Sequence, residues 1–125
     1  MKCPVCKVPT FVVEYLDIEL DLCPECQGVW FDCGELELLL GTGDAVDSEP
    51  AKTSEKPRHC PVCPQKMEKV NIGPGRRVMI DKCPDGCGLW FDGNELSDLT
   101  HDLQNEGWHV RPEVREFLCG MFPER

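Results

Sequence analysis

The sequence predicts a small metal-stabilised α+β protein in which one short unit occurs twice. Eight of the ten cysteines form four closely spaced pairs: Cys3 and Cys6, Cys23 and Cys26, Cys60 and Cys63, Cys83 and Cys87. The second pair of each unit leads into the same tripeptide, Trp-Phe-Asp, at positions 30–32 and 90–92. A unit of about forty residues buries too little apolar surface to offset its chain entropy, so it needs a metal ion or disulfides.

The cysteine spacing and the expected compartment favour metal over disulfides. The sequence passes from Met1 directly into the first Cys-Pro-Val-Cys, with no apolar signal segment and no run long enough for a membrane span. We therefore expect a reducing, cytoplasmic location, where paired Cys-x-x-Cys motifs bind metal. Two zinc ions are the first expectation, each held by four thiolates.

The first unit is predicted to be a β-hairpin followed by a short helix, over residues 1–40. Residues 11–15 are rich in β-branched and aromatic side chains, and residues 16–22 alternate strictly between apolar and acidic side chains. Trp30 is the expected core plug, and Asp32 with Glu35 forms an acidic capping box at the start of a helix. Leu36, Leu39 and Leu40 give this helix an apolar face, and Gly41 suits its end.

The second unit, over residues 58–103, repeats this plan with two departures. Its hairpin is three residues longer, with Val70 and Ile72 on one strand and Val78 and Ile80 on the other. Its last cysteine pair has three intervening residues, so Cys87 stands one place later than Cys26 does in the first unit. We keep Cys87 as a ligand, with Gly86 easing the turn. Leu96, Leu99 and Leu103 predict a helix after Asp92 and Glu95.

Two segments lie outside the units. Residues 41–57 are small, polar and interrupted by proline, which predicts a flexible linker. Residues 104–125 predict a helical C-terminal tail that starts near Pro112 and carries Val114, Phe117 and Leu118 on one face. We expect Trp108 and Phe117 to dock this tail onto the second unit.

The composite motif resembles a known family. Cys-Pro-x-Cys, a hairpin and then Cys-Pro-x-Cys-x-Gly-x-Trp-Phe-Asp-x-Gly-Glu-Leu is similar to the transcription factor IIB-type zinc-ribbon domains of small prokaryotic proteins. The resemblance covers residues 3–40 and 60–100 and departs at Cys87 and at Asn94, which stands where the first copy has Gly34. It implies two tandem zinc ribbons with four cysteine ligands each and, through the family name alone, a link to transcription.

Other interpretations of the same residues stay open at this stage. Four thiolates also suit a rubredoxin-like iron site, which would make the protein an electron carrier. Cys33 and Cys119 lie outside the repeated pattern and are expected to be spare thiols. The three histidines show no pairing pattern, and His59, beside Cys60, is the one placed as a conceivable substitute ligand.

The formal charge of −10 bears on the partner. Nucleic-acid-binding domains are usually basic, because most of their affinity comes from phosphate neutralisation. Residues 1–40 carry two Lys or Arg and eight Asp or Glu, whereas residues 58–100 carry six of each. The sequence thus predicts a non-enzymatic adaptor that binds another protein and no membrane. The alternative is a nucleic-acid or transcription-complex accessory protein that uses the basic second hairpin: Lys66, Lys69, Arg76, Arg77 and Lys82.

Overall fold

The computed structural model describes residues 1–15, 17–41, 48–93, 95–107 and 110–120. They form seven strands and three helices: β1 Phe11–Tyr15, β2 Ile18–Leu22, β3 Val29–Asp32, α1 Glu35–Leu40, β4 Ser48–Pro50, β5 Glu68–Ile72, β6 Val78–Lys82, β7 Gly88–Phe91, α2 Glu95–Asn105 and α3 Pro112–Gly120. All seven strands join one antiparallel sheet in the order β1-β2-β3-β7-β6-β5-β4. This confirms the α+β class, the two hairpins and the C-terminal helix.

The two units are joined by two strands, one from each unit, that the sequence analysis did not predict. Each unit has a third strand, which contains Trp30, Phe31 and Asp32 in the first unit and Trp90 and Phe91 in the second. These third strands, β3 and β7, pair with each other, and Trp30 lies directly opposite Trp90. We call the β3–β7 pairing the seam. It fuses two three-stranded sheets into one, so the units share a single scaffold.

The sheet separates two hydrophobic clusters. On one face the leucines of α1 and α2 cover the alternate strand residues, including Phe31 and Phe91, whose rings meet edge to face across the seam at 5.4 Å. Consecutive strand residues point to opposite faces, so Trp30 and Trp90 lie on the other side. There both tryptophans are fully buried among the paired cysteines and Met67. The predicted buried faces of the hairpins and helices are confirmed.

The start of the first helix differs in detail from the predicted capping box. Glu35 does accept the backbone N–H of Asp32, at 2.9 Å, as a capping box requires. The Asp32 carboxylate, however, accepts the indole N–H of Trp30 at 2.9 Å, and the N-cap residue of α1 is Gly34. The corresponding bonds in the second unit join Glu95 to the Asp92 N–H at 2.6 Å and Asp92 to Trp90 at 3.0 Å. Asp32 and Asp92 therefore hold the tryptophans in place.

The segments outside the units also differ in part from expectation. Within the predicted linker, residues 42–47 lie outside the described part, and β4 extends the sheet beside β5. Helix α3 packs against α2 of the second unit, as expected, and its Phe117 also stacks on Tyr15 of the first unit, with ring centroids 4.1 Å apart. Trp108, predicted to dock with it, lies outside the described residues. The domain boundaries at 40, 57 and 103 stay predictions. In the described part, no helix is long and apolar enough to cross a membrane.

Candidate metal centres

The hairpin of the first unit brings its four paired cysteines to one point. Ligand atoms of Cys3, Cys6, Cys23 and Cys26 all lie within 4.8 Å of one another. The Sγ atoms of Cys3 and Cys26 are 3.7 Å apart. Four sulfurs at about 2.3 Å from a tetrahedral zinc ion lie about 3.8 Å apart, whereas a disulfide needs about 2.05 Å. The sulfur positions thus fit a metal ion and not a disulfide.

Tight backbone turns aim these sulfurs inward. The N–H groups of Val5 and Cys6 both donate to the Cys3 Sγ at 3.3 Å, and the Cys26 N–H donates to the Cys23 Sγ at 3.5 Å. Lys7 and Gln27 close the two turns in the left-handed conformation. Such N–H groups stabilise a thiolate, which is the form of cysteine that binds metal.

The second unit brings Cys60, Cys63, Cys83 and Cys87 together in the same way, again within 4.8 Å. The Sγ atoms of Cys63 and Cys83 are 3.6 Å apart, and the Val62 N–H donates to the Cys60 Sγ. His59 is exposed and does not belong to this group, so the substitute-ligand interpretation gains no support.

The displaced Cys87 is accommodated by an exchange of roles within the turn. In both units this turn is closed by a bond from the first cysteine N–H to a glycine carbonyl five residues later, Cys23 to Gly28 and Cys83 to Gly88. In the first unit the sulfur is on the fourth residue and the left-handed residue, Gln27, is the fifth. In the second unit Gly86 is left-handed with φ of 80°, and Cys87 follows it. The closed turn has the same length in both units, so the cysteine and the left-handed residue exchange places. The cysteine is fourth and the left-handed residue fifth in the first unit, and the order is reversed in the second.

Within each set the pKa values of the thiols differ. Burial raises the pKa of Cys83, but N–H groups of Cys87 and Asp85 outweigh it and set the pKa at about 7. The thiols of Cys63 and Cys83 raise the pKa of Cys87 to about 12, and burial adds to this. In the first set, burial raises the pKa of Cys26, whereas backbone N–H groups lower the pKa of Cys23 despite burial. Four thiolates crowded together repel one another, so a divalent cation is needed to hold all four deprotonated.

The remaining candidates that the structure describes stay apart from both sets. Cys33 is exposed and lies beside the seam, where its N–H donates to the Cys87 carbonyl at 3.1 Å. His101 is exposed on α2. The Cys119 side chain and His109 lie outside the described residues.

Two glycines belong to the seam as well as to the metal-binding turns, and the sequence analysis did not give them this role. A Cβ atom on Gly28 would lie 2.1 Å from the indole of Trp90, in the other unit. A Cβ on Gly88 would lie 2.1 Å from the Phe31 carbonyl oxygen and 2.7 Å from the indole of Trp30. Each unit therefore makes room for the tryptophan of the other. The sequence contains a sign of this role, because the same Gly-x-Trp follows the second cysteine pair of each unit.

The predicted basic cluster is largely engaged within the protein. Lys69 pairs with the buried Asp81 at 2.7 Å, and Arg77 pairs with Asp102 at 2.7 Å and with Glu106 at 3.1 Å. Arg76 folds back to donate to the Gly73 carbonyl at 2.6 Å. Three of the five cations are thus neutralised or turned onto their own hairpin.

These features define a protein with two all-cysteine metal sites on one continuous sheet. The sequence matches the family model described as transcription factor zinc-finger twice, over residues 2–41 and 59–102. These matches cover more than half of the chain, which therefore belongs to that zinc-ribbon family. Searches among characterised proteins and among solved structures gave no significant match. Together, the two four-thiolate sets and the family assign two zinc ions to the chain.

Proposed function

We propose that the protein is a non-enzymatic adaptor in which eight cysteine thiolates hold two structural zinc ions and the surface binds another protein. The observation that carries this proposal is the composition of the metal sets: among the residues that the structure describes, each consists of four thiols and nothing else. Four thiolates complete the tetrahedral shell of zinc, so no position remains where water or a substrate could be activated. The family is typically non-catalytic, which agrees with this view.

The cavities of the described residues support the same conclusion. The cleft between α1 and the second metal-binding turn is lined by Cys33, Leu36, Lys82 and Leu89, among others, and encloses about 190 Å³. Small-molecule sites usually enclose roughly 300–1,000 Å³. A second, shallower cavity of about 290 Å³ lies beside Leu38 and Gly41 and is formed by only four residues. The first cavity is thus smaller than a usual small-molecule site, and the second is lined only by residues at α1 and its two ends.

The charge distribution favours a protein partner over nucleic acid. The chain has a net charge of −10, and each zinc ion with four thiolates contributes about −2 more. The ion pairs of Lys69 and Arg77 remove much of the positive potential from the second hairpin. Phosphate binding requires the opposite sign of field. The use of cysteines as metal ligands further suits the reducing cytoplasm.

The test combines a binding titration with affinity capture, both on the zinc-loaded full chain. Duplex DNA and single-stranded RNA are titrated across a range of salt concentrations, and we expect weak binding at about 150 mM salt. Tagged protein is then used to capture partners from its native host, with an unrelated protein of equal charge as control. A reproducible, stoichiometric protein partner supports the proposal. Submicromolar nucleic-acid binding that is lost on Lys66→Glu/Lys82→Glu would replace it with the nucleic-acid alternative.

A further inference from the structure

The described sheet ends in two edge strands, the five-residue β1 and the three-residue β4, and β1 is the longer of the two. In the described part of the chain, β1 pairs with β2 on one side and with no strand on the other. The equivalent strand of the second unit is β5, which lies 57 residues later in the sequence, as Cys60 lies after Cys3. The outer edge of β5 is covered by β4. The second unit therefore shows how a strand binds to this edge of the ribbon.

The contacts of β4 define which backbone groups such a strand uses. Glu49 lies opposite Asn71, and the Ala51 N–H donates to the Lys69 carbonyl at 3.0 Å. In an antiparallel ladder the residues that form hydrogen bonds alternate with those that face away. Pro50, which has no N–H, occupies the position between them, opposite Val70. The bonded positions on β5 are thus residues 69 and 71.

The corresponding positions on β1 are Val12 and Glu14, whose polar backbone groups point outward. Both residues are exposed, Val12 to 59%. An edge strand with outward N–H and C=O groups is a template for another strand. Its neighbour Phe11 is also 47% exposed and lies on the opposite face of the strand, which gives an incoming strand apolar surface to cover.

The side chains around this edge select for positive charge. Val12 and Glu14 share a face with their cross-strand partners on β2, Asp21 and Glu19. In the second unit the equivalent of Asp21 is Asp81, which lies near two cations, Lys69 and Arg58. The equivalents of these cations in the first unit are Val12 and Met1, whose side chains are uncharged, so the Met1 α-amino group is the positive charge that acts on Asp21 there.

We propose that the outer edge of β1 binds an extended, basic segment of the partner protein as an additional antiparallel strand. This deepens the adaptor function proposed above and rests on it. The partner's basic residues lie opposite Val12 and Glu14, where they form the backbone hydrogen bonds and face the acidic side of β2. Its apolar residues alternate with them and cover Phe11 and Val13. A second copy of this chain is a poorer occupant, because its β1 would bring a second acidic face against the first.

The alternation leads to a direct test with synthetic peptides. The probe is the end-capped heptapeptide Lys-Val-Lys-Val-Lys-Val-Lys, titrated into the zinc-loaded full chain by calorimetry and followed by amide NMR. N-methylation of the internal lysine amides removes the hydrogen bonds to β1, so binding should weaken at least about tenfold. N-methylation of the valine amides should leave binding unchanged, because those amides face away as Pro50 does in β4. A Glu-Val heptapeptide should not bind.

Variants of β1 provide the matched test on the protein. Val12→Pro removes one outward N–H without touching the ladder to β2, since proline is tolerated on an edge strand. It should abolish peptide binding, whereas the control Val12→Thr keeps the N–H and should bind normally. Glu14→Lys should weaken binding about fivefold, and added salt should shrink this difference. Two zinc ions per chain and an unchanged near-UV dichroism spectrum show that each variant is folded.

Several outcomes would overturn the proposal: no binding of the Lys-Val peptide at millimolar concentration, equal binding of both methylated peptides, or full binding by Val12→Pro. A dimer that Val12→Pro dissociates, without peptide binding, would overturn it in favour of a second copy. If captured partners persist with Val12→Pro, the adaptor function stands and this edge is not its surface. If the peptide binds as described but no partner is captured, the edge proposal stands and the adaptor function fails.

Discussion

The two units share a motif but differ in what their surroundings do for them. In the second unit the longer hairpin tip contacts α2, where Arg77 pairs with Asp102 and Gly73 approaches the same carboxylate. Its edge strand is covered by β4, and its buried Asp81 is neutralised by Lys69. The first unit has a six-residue helix, an acidic face and an edge strand that no other described strand covers. The comparison suggests a division of roles, in which the second unit supports the fold and the first presents a surface.

Loss of a metal ligand should have the largest effect and should be similar in both units. Structural zinc sites supply about 10–16 kcal/mol of binding free energy to small domains, more than either unit gains from its core. We expect Cys23→Ser, Cys83→Ser and Cys87→Ser each to lower the zinc content from two ions to one. Elemental analysis measures the zinc content, and chelation of both ions should abolish the near-UV dichroism of the tryptophans. Two zinc ions in Cys87→Ser would show that another residue completes the second site.

Substitution of the seam glycines should come next and should affect both units at once. The added methyl group of Gly28→Ala meets Trp90, and that of Gly88→Ala meets the Phe31 carbonyl and Trp30. Overpacking usually costs about 1–3 kcal/mol, and Gly88→Ala should lie at the upper end because it meets backbone. Denaturant unfolding measures the loss, and hydrogen exchange shows where it falls. Faster exchange confined to the substituted unit would contradict a shared seam.

Substitution of the two capping glutamates, Glu95 and Glu35, should change the pH dependence of stability by different amounts in the two units. Burial, followed by the charge of Asp92, raises the pKa of Glu95 from its ordinary value of 4.5 to about 8. The folded state therefore binds the proton more tightly than the unfolded state, and stability falls as the pH rises from about 4.5 to about 8. Glu95→Gln cannot ionise and keeps an oxygen for the Asp92 N–H, so its stability relative to the wild type should increase over this range.

Glu35→Gln is the matched variant in the first unit. Burial also raises the pKa of Glu35, but by less, because its side chain is more exposed to solvent. Its gain with pH should be smaller than that of Glu95→Gln. Thermal unfolding between pH 6 and 9, where zinc stays bound, makes the comparison. Equal pH profiles for the two variants would show that the two sites are buried alike.

Cys33→Ser should have the smallest effect. Cys33 is exposed and lies outside both thiolate sets, and exposed substitutions of this kind usually change stability by less than about 0.5 kcal/mol. We expect two zinc ions per chain and an unchanged unfolding midpoint. A fall in zinc content would mean that Cys33 takes part in the first unit's metal chemistry, which Gly93 cannot do in the second.

The sequence was most informative where spacing alone determines structure. The cysteine pairs predicted both metal sets, and the alternation in residues 18–22 predicted a strand with one buried face. The seam could not be predicted in this way, because Val29, Trp30 and Phe31 are consecutive and all buried. A strand covered on both faces shows no alternation, so its period is lost. The strand β4, Ser-Glu-Pro, has low strand propensity and forms through its pairing with β5.

The register of the seam gives the molecule an internal pseudo-two-fold symmetry. Trp30 faces Trp90, Val29 faces Phe91 and Phe31 faces Leu89, so equivalent residues are related by a local two-fold axis through the tryptophan pair. Such an interface is isologous and needs no second surface to close. The tether between the units replaces a bimolecular association with an effective concentration of about millimolar. A gene product with one unit would have to exceed the dissociation constant of the seam to bury its tryptophan, and duplication within one chain removes that requirement.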